Sequence, residues 1–256
     1  MESNFLTEND INGTMIKRKL EKGSGIMKKI KICGLRREED IAYANECRPD
    51  FVGFVFADSK RKVTKSQAKH LKALLHSDIV AVGVFVNEEV TKVAELVKEG
   101  IIQMVQLHGE EDNEYIERLR KLVGEIEIIK AVRVASKEDI RKCQKTAADY
   151  LLFDSYSIEA YGGTGKTFDW SLIKEIDRPF FLAGGIQAGN LQEAIALDNV
   201  YALDVSSAVE TDGCKDRKKM LEIVNTIRNL SKISDKRVIK KKQDILCEHS
   251  MERSTT

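Results

Sequence analysis

Between Met27 and Leu230, short apolar stretches alternate eight times with stretches of helical spacing, and this alternation constrains the chain more than any other feature. Ile30–Cys33, Phe51–Phe56, Ile79–Val86, Met104–Leu107, Glu127–Val132, Tyr150–Phe153, Phe180–Leu182 and Tyr201–Val205 read as strands. Helices are predicted near Glu38–Cys47 and over Gln67–Leu75, Glu89–Glu99, Glu111–Leu122, Lys137–Gln144, Phe168–Ile176, Leu191–Leu197 and Arg217–Leu230. Phe51-Val52-Gly53-Phe54-Val55-Phe56 is almost wholly apolar, as a strand covered on both faces is. Short apolar strands separated by helices pair in parallel through crossover connections. Eight nearly equal units can close the sheet on itself and leave no edge exposed. The chain has 256 residues, close to the roughly 250 of a single (β/α)8, or TIM, barrel. An open doubly wound sheet competes, but no G-x-G-x-x-G follows the first strand to support a dinucleotide fold.

The ends differ from this core. Residues 1–26 are polar and charged, with Gly23-Ser24-Gly25 before the first strand, and read as a flexible extension or a short extra helix over Met15–Leu20. Residues 231–256 carry Lys236-Arg237 and Lys240-Lys241-Lys242 and read as a polar, mildly basic tail. The predicted barrel domain is residues 27–230. Lys and Arg number 42 against 41 Asp and Glu, so no global field recruits nucleic acid or a membrane surface. No apolar run is long enough to span a bilayer, and residues 1–30 lack the apolar core of a secretory signal. Cys33, Cys47, Cys143, Cys214 and Cys247 are odd in number and show no C-x-x-C spacing. Thiols without a disulfide framework suggest a reducing, cytoplasmic setting.

Chemistry in a parallel α/β fold gathers where strands end and loops begin. Lys29-Ile30-Lys31-Ile32 alternates with period two and stops at Cys33-Gly34, which puts a thiol at such a strand end. Taken alone, Cys33 reads equally well as a small buried residue. Arg61, in Ala57-Asp58-Ser59-Lys60-Arg61, stands above the barrel mouth, either to pair with a carboxylate or as part of a surface charge run. His108 ends the fourth strand, where a hydrogen-bonded loop residue is the bland alternative. Asp154 follows the apolar sixth strand, where desolvation would raise its pKa toward proton donation, unless it only caps a turn. Tyr161-Gly162-Gly163-Thr164-Gly165-Lys166-Thr167 is a glycine-rich loop without Walker A spacing. The seventh and eighth strands end in Ala183-Gly184-Gly185 and Asp204-Val205-Ser206-Ser207, small-residue turns of the kind that present backbone N–H groups to phosphate. A phosphorylated small molecule is therefore the expected ligand.

Several motifs occur together and in order. They are Lys31-Ile32-Cys33-Gly34, Gly53-Phe54-Val55-Phe56 with Ser59-Lys60-Arg61, Val82-Gly83-Val84-Phe85-Val86-Asn87 and Gln106-Leu107-His108-Gly109-Glu110. Gly162-Gly163-Thr164-Gly165 with Phe168-Asp169-Trp170, Leu182-Ala183-Gly184-Gly185 and Asp204-Val205-Ser206-Ser207 with Val209-Glu210 complete the series. In this the chain resembles the phosphoribosylanthranilate isomerases of tryptophan biosynthesis. That resemblance implies an Amadori rearrangement of N-(5-phosphoribosyl)anthranilate to 1-(2-carboxyphenylamino)-1-deoxyribulose 5-phosphate. It implies Cys33 as general base, Asp154 as general acid and Arg61 as partner of the anthranilate carboxylate. Gly184, Gly185, Ser206 and Ser207 would hold the phosphate, with His108 and Asp204 as further pocket residues. It implies no metal or other cofactor, and leaves neighbouring tryptophan-pathway enzymes as candidate partners. Two departures stand out: Ala208 replaces an expected glycine, and Ala57-Asp58 stand where a proline is usual. The rival readings are a related aldose–ketose phosphosugar isomerase of histidine biosynthesis, whose paired aspartates are not matched at Cys33, and a binding barrel that has lost turnover.

Overall fold

The computed structural model describes residues 27–134, 136–155, 169–174 and 176–233, with the backbone alone described at 155. The expectations for residues 1–26, for most of the glycine-rich loop and for 234–256 lie outside the described residues. Lys28–Ile227 form one compact unit.

Eight parallel strands close a barrel in sequence order. They are β1 (Lys29–Cys33), β2 (Phe51–Val55), β3 (Val80–Phe85), β4 (Met104–Leu107), β5 (Glu127–Val134), β6 (Tyr150–Ser155), β7 (Phe180–Leu182) and β8 (Val200–Val205). Closure is made by β1 on β8, where Lys31 pairs in register with Asp204. Helices α1 (Glu38–Cys47), α2 (Lys65–Leu74), α3 (Val90–Lys98), α4 (Asn113–Val123), α5 (Lys137–Cys143) and α6 (Leu191–Ala196) join successive strands. A final helix, α7, covers residues 217–233. Capping decides several helix starts: Thr64, Asp112 and Ser136 accept from Gln67, Tyr115 and Asp139 backbone N–H groups. No helix among the described residues is long and apolar enough to cross a membrane.

The expected alternation is therefore observed, with differences in several elements. Phe168–Ile176 was predicted as a helix, but its described part is a 3₁₀ turn over Trp170–Ile173. Asp169 accepts from the Ser171 N–H, Trp170 and Ile173 are buried together, and Pro179 restricts the chain just downstream. The final helix runs past Leu230 to residue 233. Strands β5 and β6 extend two residues further than predicted, pairing Arg133 with Asp154 and Val134 with Ser155. Asp154 thus sits on a strand rather than in a loop, held by the ladder. A small antiparallel hairpin, β9 (Glu210–Thr211) with β10 (Cys214–Lys215), was not foreseen.

One device recurs at the rim where strands begin. Asp50, just before β2, accepts from the Ile30 N–H of β1 at 2.9 Å. Asp149, just before β6, accepts from the Ile128 N–H of β5 at 2.8 Å, and the Gln103 side chain before β4 accepts from Ala81 of β3 at 2.8 Å. Each satisfies a strand-end donor that the ladder leaves over.

Alternation along each strand separates an outer layer from an inner one. Ile30, Ile32, Val52, Phe54, Val105, Leu107, Leu151, Phe153 and Leu203 are fully buried in the outer layer. Inside, Phe51, Val82, Met104, Ile129, Leu152, Phe181 and Ala202 form the packed interior. Tyr150 stacks on Tyr201 at 4.7 Å, and Phe51 meets Phe181 edge-on at 5.4 Å. The Lys29 ammonium lies 5.1 Å from the centre of the Tyr201 ring. This end of the barrel is plugged, so the opposite end is left for a ligand.

Candidate active site

All eight strands or the loops that follow them line one cavity of about 460 Å³. Its volume falls within the range of small-molecule pockets. Every residue singled out from the sequence as a site residue lines it: Cys33, Arg61, His108, Asp154, Gly184, Gly185, Asp204, Ser206 and Ser207.

Cys33 reaches the cavity because β1 alternates: Lys31 and Cys33 share the inner face. Cys33 pairs across the ladder with Gly53 of β2, and a Cβ on Gly53 would lie 2.7 Å from the sulfur. That missing methyl makes the space the thiol occupies. Ser206 donates its Oγ–H to the Cys33 carbonyl at 3.0 Å, tying β1 to the β8 turn. Burial pushes the Cys33 thiol up, while Lys31 and Lys215 pull it down without prevailing.

Lys31 is fully buried, and its Nζ donates to Asp204 Oδ2 at 2.8 Å. Burial works against this charge, but Asp204 outweighs it and the ammonium is held above its usual value. Asp204 Oδ1 is buried without a hydrogen-bond partner, an acceptor in the wall of the cavity.

On the far side, His108 Nε2 stands 3.6 Å from Asp154 Oδ2. Burial, with Arg133, Lys31 and Lys130 adding repulsion, lowers His108 to about 4, so its ring is neutral near pH 7. Gln106 Nε2 donates to His108 Nδ1 at 3.1 Å, which leaves the ring proton on Nε2, facing Asp154. The bland reading of His108 as a hydrogen-bonded residue holds, and its partner Gln106 also lines the cavity.

Arg61 is at the mouth as predicted, but Glu210 already grips it. Its Nε and Nη2 donate to Glu210 Oε1 and Oε2 at 2.7 and 2.8 Å. Lys215 donates to the same Oε1 at 2.7 Å and to the Ser206 carbonyl at 2.9 Å. Burial alone would raise Glu210, yet Arg61 and Lys215 hold it down at about 2. Around Cys33 there are thus three cations, Lys31, Arg61 and Lys215, against two carboxylates, Asp204 and Glu210. The surplus positive charge suits an anionic ligand. Gly184 and Gly185 both take positive φ, 73° and 74°, a backbone turn that glycine adopts without strain. Successive N–H groups in such a turn make an anion-binding concavity.

Lys31, Gln106, Arg133, Glu210 and Lys215 were not singled out as site residues from the sequence. Lys31 and Gln106 could have been, since each lies two residues before Cys33 and His108 on a strand and so shares their face. Glu210 and Lys215 gave no such strand-face signal, because it is the β9–β10 hairpin that sets them beside Arg61 and Ser206. Among the described residues no cluster of three or more His, Cys, Asp or Glu side chains could hold a metal ion.

Residues 30–226 match the family model described as N-(5'-phosphoribosyl)anthranilate (PRA) isomerase. An N-(5'-phosphoribosyl)anthranilate isomerase from Endomicrobium trichonymphae is 48% identical over 204 residues, covering 80% of this chain and all of that protein. A Thermoanaerobacter relative of the same name is 45% identical over 206 residues, again 80% of this chain and its own full length. The crystal structure of the Thermotoga maritima phosphoribosyl anthranilate isomerase superposes with a TM-score of 0.72 at 36% identity, covering 79% of this chain and all of that one. A further isomerase structure, in complex with reduced 1-(o-carboxyphenylamino)-1-deoxyribulose 5-phosphate, gives 0.68 at 32% identity with the same coverage. This chain belongs to the N-(5'-phosphoribosyl)anthranilate isomerase family.

Proposed function

We propose that this barrel isomerises N-(5-phosphoribosyl)anthranilate by an Amadori rearrangement with Asp154 as general acid and Cys33 as general base. Asp154 gives its proton to the furanose ring oxygen as the C1–O bond breaks, and the nitrogen lone pair forms the Schiff base. Cys33 then takes the C2 proton. The electrons of that C–H bond become the C1–C2 double bond, and the iminium nitrogen recovers its lone pair. Loss of the C2 hydroxyl proton and protonation of C1 give the ketone. Neutral His108 turns its Nε2–H toward the Asp154 carboxyl, 3.6 Å away. Asp204 Oδ1, left over by Lys31, accepts from a sugar hydroxyl. Backbone of Gly184, Gly185, Ser206 and Ser207 holds the phosphate, and Arg61 receives the anthranilate carboxylate.

The observation that carries this reading is the placement of a thiol on β1 and a carboxyl on β6 in the wall of one cavity with the β7 and β8 turns. A match over residues 30–226 supports assigning the activity to residues 27–230. The described thiols Cys33, Cys143 and Cys214 are free, which supports a cytoplasmic setting. Neighbouring tryptophan-pathway enzymes are the proposed partners, on the strength of the resemblance alone. Purified protein should consume phosphoribosylanthranilate, followed by the loss of its fluorescence. Cys33→Ala and Asp154→Asn should each lower kcat by about 10²–10⁴ while the fold and phosphate affinity persist. Near-normal turnover in either variant rejects the role given to that residue.

A further inference from the structure

Arg61 is held by Glu210, which Lys215 fixes in turn, and lies over Gly34. Glu210 takes its Nε–H and one Nη2–H in a side-on fork, at 2.7 and 2.8 Å. Lys215, 4% exposed, fixes the same carboxylate from the other side and is itself bonded to the Ser206 carbonyl. Gly34, at φ +85°, lies beneath the arginine stem, where a Cβ would come 2.3 Å from Arg61 Cδ. Three separate features of the chain therefore converge on the orientation of one guanidinium.

A guanidinium has two edges that can each grip a carboxylate with a pair of parallel N–H bonds, one side-on and one end-on. Glu210 occupies the side-on edge. The end-on edge, formed by Nη1 and the second Nη2–H, is what Arg61 retains for a ligand of the cavity it lines. A free arginine on a four-atom stem would pay rotamer entropy to bind a carboxylate, and this one has paid it in the folded state.

We propose that Glu210 is a positioning residue for substrate specificity. By gripping Arg61 side-on it turns the end-on fork into a preformed receptor for the ring carboxylate, and so sets the preference for a carboxylated aryl group. This rests on the role given to Arg61 above. It separates Glu210 from a purely structural duty, such as neutralising Lys215, because a structural loss would weaken all substrates alike.

The test compares phosphoribosylanthranilate with phosphoribosylaniline, which lacks the carboxylate, in wild type and Glu210→Gln. Wild type should prefer the carboxylated substrate by about 100-fold or more in kcat/KM. Glu210→Gln should narrow that preference about tenfold, through a raised KM for phosphoribosylanthranilate, with kcat and the aniline substrate little changed. Glu210→Asp, which keeps the charge and shortens the reach, should fall between the two. Should Glu210→Gln not fold, Glu210→Asp carries the test, read as the ratio of kcat/KM between the two substrates. A wild-type preference that Glu210→Gln leaves intact, or an equal loss on both substrates, overturns the inference alone. A wild type indifferent to the carboxylate overturns the role of Arg61 and the inference with it.

Discussion

Cys33 must be a thiolate to remove a carbon-bound proton, and its surroundings resist that charge. Burial raises the thiol, and the pull of Lys31 and Lys215 only moderates the effect. A base whose pKa lies above its ordinary value is mostly protonated near neutrality, and its active fraction grows up to about tenfold per pH unit until it ionises. The alkaline-rising limb of kcat/KM should therefore extend well above pH 7. Iodoacetamide alkylation of Cys33, read by mass, should follow the same limb without reference to turnover. A profile flat above neutrality, or alkylation that is already maximal there, contradicts the assignment. The thiol was legible as a strand-end residue because Lys29-Ile30-Lys31-Ile32 alternates. The ammonium directly beneath it was equally legible from the same alternation, but a charged residue in a strand reads by default as facing water. Pairing with Asp204 reverses that default, and Asp204 is 173 residues away.

At the scale of elements, the site depends on β1 and β2 meeting with nothing between them. Gly53 opposes Cys33, and its missing Cβ is the volume that Sγ fills. Gly53→Ala should displace the sulfur toward the cavity or strain the β1–β2 ladder. Overpacking of this kind costs about 1–3 kcal/mol of stability, and a misplaced reacting group costs up to about 100-fold in rate. The expected result is a kcat falling much more than the urea midpoint, with KM little changed. An unchanged kcat places the sulfur elsewhere. From the sequence, Gly53 is one glycine in a run of apolar residues, and its meaning appears only when the register sets it against Cys33. Asp154 shows the same limit. The sequence pattern puts it in the loop after β6, whereas the ladder with β5 continues through it and gives it the fixed position a proton donor needs.

At the scale of the whole molecule, polarity changes along the barrel axis. Tyr150, Leu152 and Asp154 climb one face of β6 from the aromatic plug, through the packed interior, to the cavity. Stability and site thus share a single column of side chains, and acid should act on both. The folded chain refuses His108 a proton down to about 4, whereas the unfolded chain accepts it near 6.5. Stability should fall as pH drops from 6.5 to about 4, by up to about 3 kcal/mol. Glu210, held to about 2 against an ordinary 4.5, stabilises fully above 4.5, and that contribution is lost as pH falls through 2. Urea midpoints at pH 7, 5 and 3 should decline in both intervals, and His108→Gln should flatten the first. A first interval equally steep in His108→Gln assigns the proton uptake to another group.

What the sequence determined by itself is whatever depends on neighbours within a few residues. Eight alternations of apolar strand and helix required a parallel sheet, and their number favoured closing it. The strand ends then named the residues facing the mouth, since period two decides a face without knowing its partner. What only the tertiary structure decided is how those residues pair. Lys31 with Asp204, Arg61 with Glu210 and His108 with Asp154 each join distant parts of the chain. Closing the barrel takes water from these charges, and inside it a charge is stable only where an opposite charge or a hydrogen bond meets it. That requirement, which no local pattern carries, set the electrostatics of the site.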